Sequence, residues 1–319
     1  MGLEAITCDT NDAFAAPRWI VRIYWHLLQR RPPRLREFSE RVAELCRQVT
    51  PDVMIATGSA PINASALREI GELGVRRVNY STDDPWSSVH RSSWLLAALK
   101  QYDAVFSPRR SNLEQLRALG GPAVRYLPFA YDPALHFTSE AKILEQGEHG
   151  CDVLFVGGAD KDRLSIVGEL IRQGFNVSLY GSYWARYPLT RSAARGLATP
   201  EVIRRATHET RVSLCLVRRS NRDGHVMRSF EMAALGACML VEDTEEHREM
   251  FGEEGRAVLY FGNVSEMTSK LRWLLSHPAE RAALRKASRA SITKEDNTYA
   301  SRLASMLESA SLGASTACG

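Results

Sequence analysis

The sequence has no apolar run of the length that crosses a membrane, and no basic start followed by an apolar core. A spanning helix needs about 20 apolar residues, so neither a membrane span nor a secretory signal is predicted. Its six cysteines form no Cys-X-X-Cys pair and have no regular spacing. They are expected to be buried or incidental thiols of a reducing compartment, and the predicted location is the cytoplasm.

Several motifs of known chemistry are also missing. There is no His-Glu-X-X-His, no Gly-X-Ser-X-Gly and no cluster of cysteine and histidine, so neither a resident metal nor a bound cofactor is expected. The stretch FVGGADKDR lacks the Gly-X-Gly-X-X-Gly of dinucleotide-binding oxidoreductases. The net charge of +4 is too small to indicate a nucleic-acid partner.

What the sequence does contain is an alternation of short β-rich runs and helical patterns. With 319 residues, it is long enough for two α/β domains of about 150 residues each. The alternation predicts parallel sheets covered by helices on both faces, in two consecutive series. The predicted strands are 51–58, 75–84, 102–108 and 123–129 in the first series, and 151–158, 176–181, 211–217, 237–243 and 257–261 in the second.

These series define the predicted domains. Residues 1–137 form an N-terminal Rossmann-like domain and residues 151–295 form a C-terminal one, with the polar stretch 138–150 as linker. Residues 296–319 are expected to be a C-terminal helix and a flexible tail. The start is unusual, because GLEAITCDT resembles the second strand of a doubly wound domain. The pattern favours a missing first βα unit over a fold that does without it.

An arginine-rich stretch with crowded tryptophan, tyrosine and aliphatic residues follows at 18–47. It has two interpretations. One is a basic amphipathic face that makes weak peripheral contact with anionic lipid. The other, which is the more common case, is a core helix broken at Pro32-Pro33 whose arginines extend to water.

The strongest signal for chemistry is the segment NRDGHVMRSFEMAALGACML, residues 221–240. A helix is predicted to begin near Met227 and to stop at Gly236, which suits the position after a helix end. A helix N-terminus attracts phosphate through its free N–H groups and its dipole. Arginines 218, 219, 222 and 228 add cationic donors there. The two acids, Asp223 and Glu231, suit sugar hydroxyls, so the segment predicts a nucleotide-diphosphate sugar as ligand.

An acid, seven intervening residues and a Glu that opens a Glu-X-X-Ala-X-Gly helix resemble the signature of the group 1 retaining glycosyltransferases. The stretch DGHVMRSFEMAALGACMLVED resembles more closely the CgeB-like (spore maturation protein) glycosyltransferases. The segments VNYSTDDPW, YLPFAYDPALH and CDVLFVGGADKDR agree with that family. The resemblance implies an α/β fold of the GT-B type, with two Rossmann-like domains facing across a cleft and the donor held mainly by the second.

Carried over by position, the resemblance implies that Glu231 holds the ribose and that Arg228 and Arg163 hold the diphosphate. Gly157 and Gly158 would allow close approach of the backbone. The donor-binding set is completed by two neighbours of these residues, Arg218 and Ser229. The candidate catalytic residues are Asp223 and His225, facing the donor sugar, and Asp83.

Asp83 and Asp84 follow a strand at the edge where ligands of open α/β sheets gather. They are candidates to orient an acceptor or to act as a base, or else one of them caps a helix before Pro85. Structural alternatives remain for the other acids as well. Glu231 could pair with Arg228 along the helix, and Asp223-Gly224 could be only a turn.

The predicted function is transfer of a sugar from a nucleotide-diphosphate sugar to an acceptor, which the sequence does not identify as glycan, protein, lipid-linked or small molecule. Retention of the anomeric configuration is expected from the resemblance. The alternative is a non-catalytic nucleotide-sugar-binding or scaffold protein that descends from a transferase.

Overall fold

The computed structural model describes residues 2–88, 90–138, 148–294 and 296–312. Two compact units are present, each with its own sheet and core. The first comprises Met1–Pro128, Ser220–Arg222 and Leu303–Gly319, and the second comprises Phe129–Arg219 and Asp223–Arg302. Most of the predicted linker lies outside the described residues.

The first unit contains a four-stranded parallel sheet in the order β1-β2-β3-β4. Each strand falls within a predicted β-rich run, and helices fill the connections, as expected for βαβ units. The strands are β1 Val53–Thr57, β2 Arg76–Tyr80, β3 Ala104–Ser107 and β4 Ala123–Tyr126. The helices are α1 Arg18–Leu27, α2 Leu35–Val49, α3 Ala64–Glu72, α4 Ser93–Leu99 and α5 Arg110–Ala118.

The second unit contains a six-stranded parallel sheet in the order β10-β9-β8-β5-β6-β7. Its strands are β5 Val153–Val156, β6 Val177–Tyr180, β7 Ala194–Gly196, β8 Val212–Cys215, β9 Met239–Glu242 and β10 Leu259–Phe261. The helices are α6 Lys161–Arg172, α7 Pro200–Glu209, α8 Met227–Ala234, α9 Glu245–Phe251, α10 Val264–Ser276 and α11 Pro278–Thr293. The last helix, α12 Tyr299–Leu312, begins in this unit, and its residues from Leu303 belong to the first. Only β7 was absent from the sequence prediction, since its three residues carry no apolar pattern.

Both sheets are buried where their strands are most apolar. All four residues of β3, β5, β6, β8 and β9 are buried, as expected when helices cover both faces of a parallel sheet. The fold class predicted from the sequence, α/β with two parallel-sheet domains, is therefore confirmed.

The boundary between the two units lies before the one that the sequence pattern indicates at Phe137. Phe129–Phe137 belong to the second unit, because the backbone of Tyr131 pairs with residues at the start of α12. The N–H of Tyr131 donates to Asn297 O at 3.1 Å, and the N–H of Tyr299 donates to Tyr131 O at 3.1 Å.

The strand predicted over Gly2–Thr10 is wrong. Residues 2–9 form no strand, and a 3-10 turn follows at Thr10–Phe14. Leu3 and Ile6 are 53% and 55% exposed. Residues 2–9 pair with no described strand, and an unpaired strand gains too little to be stable.

The arginine-rich stretch divides into two helices of different character. The predicted break at Pro32-Pro33 is present, and α2 buries one face through Leu35, Phe38 and Val42. None of the residues of α1 is buried, so the interpretation as a core helix is wrong for this part. Its apolar residues give a helical stripe that fits a core or an interface equally, and only the packing decides. No described helix is both long and apolar enough to cross a membrane.

Candidate functional site

The second sheet reverses its strand order between β5 and β8. From β5 the chain continues through α6 to β6 on one side, and later returns as β8 on the other side. Ligands of open α/β sheets bind beyond the carboxyl ends of the strands at such a point. Two loops leave the sheet here, at Gly157-Gly158 after β5 and at Leu216–Arg219 after β8.

The two glycines after β5 have different structural reasons. A Cβ on Gly157 would meet the ring of Phe155 at 3.0 and 3.1 Å, so a larger residue there would press on the internal packing. The carbonyl of Gly157 also accepts the indole N–H of the buried Trp184 at 2.7 Å. A Cβ on Gly158 would meet only Ser182 O, at an ordinary 3.7 Å. The protein itself therefore leaves the space beside Gly158 open, which is what close approach of a ligand to the backbone needs.

Arg163 connects the two loops. It lies in the first turn of α6, where Asp160 caps the helix by accepting the Arg163 N–H at 2.9 Å. Its side chain is only 8% exposed and donates to Gly158 O at 3.2 Å and to Leu216 O at 3.5 Å. Burial lowers the pKa of the guanidinium, and the nearby charge of Asp223 opposes that shift. Arg163 thus links the two loops at the switch point by hydrogen bonds and places a positive charge beside them.

The other predicted arginines do not all remain at this point. Arg219 donates to the Glu242 carboxylate at 3.0 Å. Arg222 belongs to the first unit, where its guanidinium contacts both oxygens of Asp84 at 2.7 and 3.0 Å. Arg218 forms no ion pair within the described part of the chain, and its charge adds to the lowering of the Arg163 pKa. Arg218 and Arg228 are therefore the cations best placed to meet a ligand.

The same contacts settle the local structure of the Asp83-Asp84 pair. Asp84 is 1% exposed and accepts the Trp86 N–H at 2.9 Å as well as the Arg222 fork. No helix begins at Pro85, because a turn occupies these residues and α4 starts only at Ser93. The alternative in which Asp83 or Asp84 caps a helix is therefore wrong, because Asp84 stabilises a turn. The Asp83 side chain is 31% exposed, with His90 Nε2 at 3.5 Å, so of the two acids it is the one open to a ligand in the first unit.

The start of α8 follows the prediction closely. The helix spans Met227–Ala234, and Gly236 follows in the left-handed region at φ 72°. Ser229 Oγ accepts the Val226 N–H at 3.1 Å, which caps the helix. Ser229 is fully buried and its Oγ lies 2.8 Å from His247 Nε2. The hydroxyl is thus occupied inside the fold, whereas the N–H groups of Met227 and Arg228 have no acceptor within the helix.

Glu231 lies in this first part of α8 with its side chain 6% exposed. Its carboxylate forms an ion pair with Arg228, so the pairing along the helix is present. The oxygen in that ion pair is Oε2, and His136 Nε2 lies 3.9 Å from it. A carboxylate has about four acceptor positions, so a single guanidinium leaves positions for the hydroxyls of a ligand.

His136 is a part of the site that the sequence did not predict. In the neutral ring its Nδ1 either accepts the Asp132 N–H at 3.0 Å or donates to Asp132 O at 3.1 Å, according to the tautomer, and its Nε2 is the ring nitrogen near Glu231. Burial, with a contribution from the Arg228 charge, lowers the pKa of His136 and favours that neutral form. The only signal was its place at the end of YLPFAYDPALH.

His225 is held from both sides inside the second unit. It is 1% exposed, its Nε2 accepts the Phe129 N–H at 3.3 Å, and its Nδ1 is hydrogen bonded to Glu246. A Cβ on Gly224 would overlap the Glu246 carboxylate. The Gly-His pair is therefore explained by packing against Glu246, a residue that the sequence did not single out.

Asp223 completes the loop. Its N–H donates to Arg218 O at 3.4 Å, and its side chain is partly exposed. The second unit thus brings together nine of the ten predicted residues, and Asp83 lies in the first unit. They are Gly157, Gly158, Arg163, Arg218, Asp223, His225, Arg228, Ser229 and Glu231.

One family model matches part of the chain. Residues 163–308 match the family model described as Glycosyl transferase-like. No curated protein sequence matches the chain.

Solved structures share the fold at low identity. Sucrose-phosphate synthase from Thermosynechococcus elongatus is 13% identical, with a TM-score of 0.65 over 94% of this chain and 81% of that one. HepE (Alr3699) from Anabaena, in complex with UDP, is 12% identical, with a TM-score of 0.59 over 93% and 90%. A UDP-forming trehalose-phosphate synthase from Burkholderia xenovorans is 15% identical, with a TM-score of 0.59 over 94% and 85%. These likenesses establish the GT-B fold.

Proposed function

We propose that this chain, a glycosyltransferase with the GT-B fold, transfers a sugar from a nucleoside-diphosphate sugar bound by its second unit. The observation that carries the proposal is the nearly buried Glu231 carboxylate at the start of α8. Its Oε2 is paired with Arg228, and a carboxylate with about four acceptor positions can accept further donors beside that cation. Ribose hydroxyls are donors of this kind.

The diphosphate would lie between the start of α8 and the loop after β5. The free N–H groups at the start of α8 follow β8 in the chain, and the open backbone at Gly158 follows β5. These two strands flank the switch point, where ligands of open α/β sheets bind. Arg228 and Arg218 would supply charge-assisted hydrogen bonds, with Arg163 adding charge from below. Ser229 would contribute by fixing the start of α8, because its hydroxyl contacts Val226 and His247 and its N–H donates to Val226 O at 2.9 Å. The UDP complex of the HepE structure supports a nucleotide at this type of fold.

Asp223 is assigned to the transferred sugar. It lies eight positions before Glu231 in a partly exposed loop, and its charge is near enough to Arg163 to raise the pKa of that guanidinium. Hydrogen bonds from a sugar hydroxyl to this acid can strengthen as charge develops at the reacting carbon. His225 would act through position, since both ring nitrogens already have partners.

Loss of the diphosphate is the step that needs most stabilisation. Arginines and the positive end of a helix dipole can stabilise that leaving group directly, so we propose no cofactor and no resident metal. Retention of configuration and membership of the CgeB-like subfamily rest on the spacing of Asp223 and Glu231 and on the Gly-His pair. Asp83 is proposed to orient the acceptor or to act as a base from the first unit. We propose the cytoplasm as location.

The test is a thermal-shift screen of nucleoside diphosphates and their sugars on the full chain, followed by an assay for nucleoside-diphosphate release with any donor that binds. A stabilising donor that is hydrolysed, with faster release when a suitable acceptor is added, supports a transferase. Binding without turnover under any acceptor condition would instead favour the non-catalytic alternative. No stabilisation by any nucleotide contradicts the proposal.

A further inference from the structure

The helix α1, Arg18–Leu27, presents large apolar side chains to solvent. Trp19, Ile23 and Leu27 are 65%, 42% and 75% exposed. Because they are four residues apart, they form one stripe along the outer side of the helix. A contiguous exposed stripe of this kind marks an interaction surface, whereas scattered exposed apolar residues do not.

A basic stripe runs beside the apolar one. Arg18, Arg22 and His26 are also four residues apart and are displaced by one position, so they border the apolar stripe along its whole length. The sequence from Ala13 to Arg36 contains six arginines and no acidic residue. Within the described residues, Arg18 and Arg22 form no ion pair. The surface is therefore apolar and positively charged at once.

The exposure does not come from a detached helix. At its C-terminal end, Arg30 donates to the carbonyl of Arg91 at 2.9 Å and to the carbonyl of Ser88. Gln29 Oε1 accepts the Ser93 N–H at 3.4 Å. These bonds fix the end of α1 to the first unit, so the two stripes are held at its surface.

We propose that α1 docks the protein on an anionic membrane surface, with the helix lying in the plane of the headgroups. Trp19 and the aliphatic residues would enter the boundary of the acyl chains, where tryptophan is favoured. The arginines would meet the negative headgroups, which offer charge along the entire basic stripe. An unbroken basic stripe beside an apolar one is typical of interfacial helices, while the centres of protein interfaces are depleted of charge. The inference does not depend on the donor site.

The surface contact is narrower than the sequence indicated. The sequence pattern groups residues 18–47 in one basic amphipathic stretch, but α2 turns its apolar face inward, with Phe38 and Val42 buried. Its outward arginines are also partly paired, as Arg36 is with Glu40 at 2.7 Å. The docking surface is therefore confined to α1.

The test is sedimentation of the full chain with sucrose-loaded vesicles. Vesicles of phosphatidylcholine alone are compared with vesicles that contain about 30% phosphatidylglycerol, at low and high salt. We expect the partition coefficient to be at least about tenfold larger for the anionic vesicles, since each basic residue near the surface adds to binding. Added salt should reduce it, because exposed charges are screened within about 10 Å at 0.1 M.

Two variants separate the stripes. Trp19→Ala with Leu27→Ala should lower partition by about tenfold or more, and Arg18→Gln with Arg22→Gln should remove most of the preference for anionic lipid. Leu197→Ala is the matched control, because Leu197 is 83% exposed but lies in the second unit. Melting curves should not change for any of these variants, since the replaced side chains are exposed.

Three outcomes overturn the proposal. One is no binding to anionic vesicles, or equal binding to neutral ones. Another is unchanged partition of the Trp19/Leu27 variant. The third is a self-associated chain in solution that this variant converts to monomer, which would make a second copy the occupant of the stripe.

Discussion

Nε2 of His136 lies 3.9 Å from Oε2 of Glu231, although the sequence pattern assigns these residues to different domains. The contact exists because Phe129–Phe137 belong to the second unit. Burial lowers the pKa of His136 and favours its neutral form, and we propose that the proton of that ring lies on Nε2, facing the carboxylate. We therefore regard His136 as a positioning residue. It keeps the Glu231 carboxylate in place for the ribose without adding a second positive charge beside it.

The first prediction concerns this histidine. His136→Ala should raise the dissociation constant of the nucleoside diphosphate by about three- to tenfold, because loss of a polar partner that keeps the carboxylate in place costs roughly 1 kcal/mol. His136→Gln should recover part of the affinity, since an amide N–H can replace the ring N–H. Calorimetric titration measures both, with His26→Ala as control. A purely packing role predicts a lower melting temperature with unchanged affinity.

The second prediction uses the two neighbouring glycines as a matched pair. Gly157→Ala should lower the melting temperature, because its Cβ would press on the Phe155 ring at 3.0 Å. Gly158→Ala should leave stability nearly unchanged, since its Cβ has ordinary space, yet should weaken nucleoside diphosphate by about tenfold if a phosphate approaches that backbone. Melting curves and titrations of both variants decide the matter. Normal affinity in Gly158→Ala would place the phosphates elsewhere.

The third prediction separates phosphate from nucleoside binding. Arg228→Gln should weaken the nucleoside diphosphate by about tenfold more than it weakens the nucleoside, because charge-assisted bonds of roughly 1.5–3 kcal/mol go with the phosphates. The comparison of two ligands removes any general loss caused by leaving Glu231 without its partner. Arg205→Gln, on the outer face of α7, is the control. An equal effect on both ligands contradicts the role of Arg228.

The arrangement of strands could be predicted because local pattern and final burial agree there. The runs around β5 and β8 are apolar, and their residues are buried in the sheet. The start and end of α8 were predictable for the same reason, since Gly236 adopts the left-handed conformation that a helix end favours.

The remaining features depend on contacts between residues distant in the chain. Nothing local indicated that Glu246 would hold His225 or that His136 would face Glu231, because such pairs arise only when loops are brought together. The character of α1 was open for a different reason. Its amphipathic pattern suits a core and an interface alike, and only its packing showed the apolar stripe to be exposed.

The fourth prediction concerns pH. Burial lowers the pKa of His247 to about 4, with its Nδ1–H donating to Glu242 O at 2.8 Å and its Nε2 accepting from Ser229 Oγ. The folded pKa lies below that of the unfolded chain, about 6.5. The contribution of neutral His247 to the free energy of unfolding is therefore complete above about pH 6.5. It is lost as the pH falls toward 4, by on the order of 3 kcal/mol.

The measurement is the free energy of unfolding in urea between pH 4 and 7. His247→Gln cannot titrate, so its stability should fall less over this range than that of the unchanged chain. His26→Ala should keep the full dependence, because His26 is exposed. The same slope in His247→Gln would show that other groups cause it.

The last prediction distinguishes the two acids. Glu231→Ala should raise the dissociation constant of the nucleoside diphosphate by about tenfold or more, because a charged acceptor in a nearly buried site is lost at roughly 1.5–3 kcal/mol. Glu231→Gln keeps the shape and one acceptor, so its affinity should fall between. Asp223→Ala should slow turnover more than it weakens the nucleotide, because a group on the transferred sugar acts on the reacting carbon.

Purely structural roles predict a different pattern. Glu231 would then only neutralise Arg228, and Asp223 would only shape the loop beside Arg218, so both variants would melt earlier with unchanged nucleotide affinity. Dissociation constants, melting curves and turnover of the three variants separate the cases. Unchanged affinity in Glu231→Ala would mean that the carboxylate does not hold the ribose. Equal losses of affinity and turnover in Asp223→Ala would move that acid from the sugar to the nucleotide.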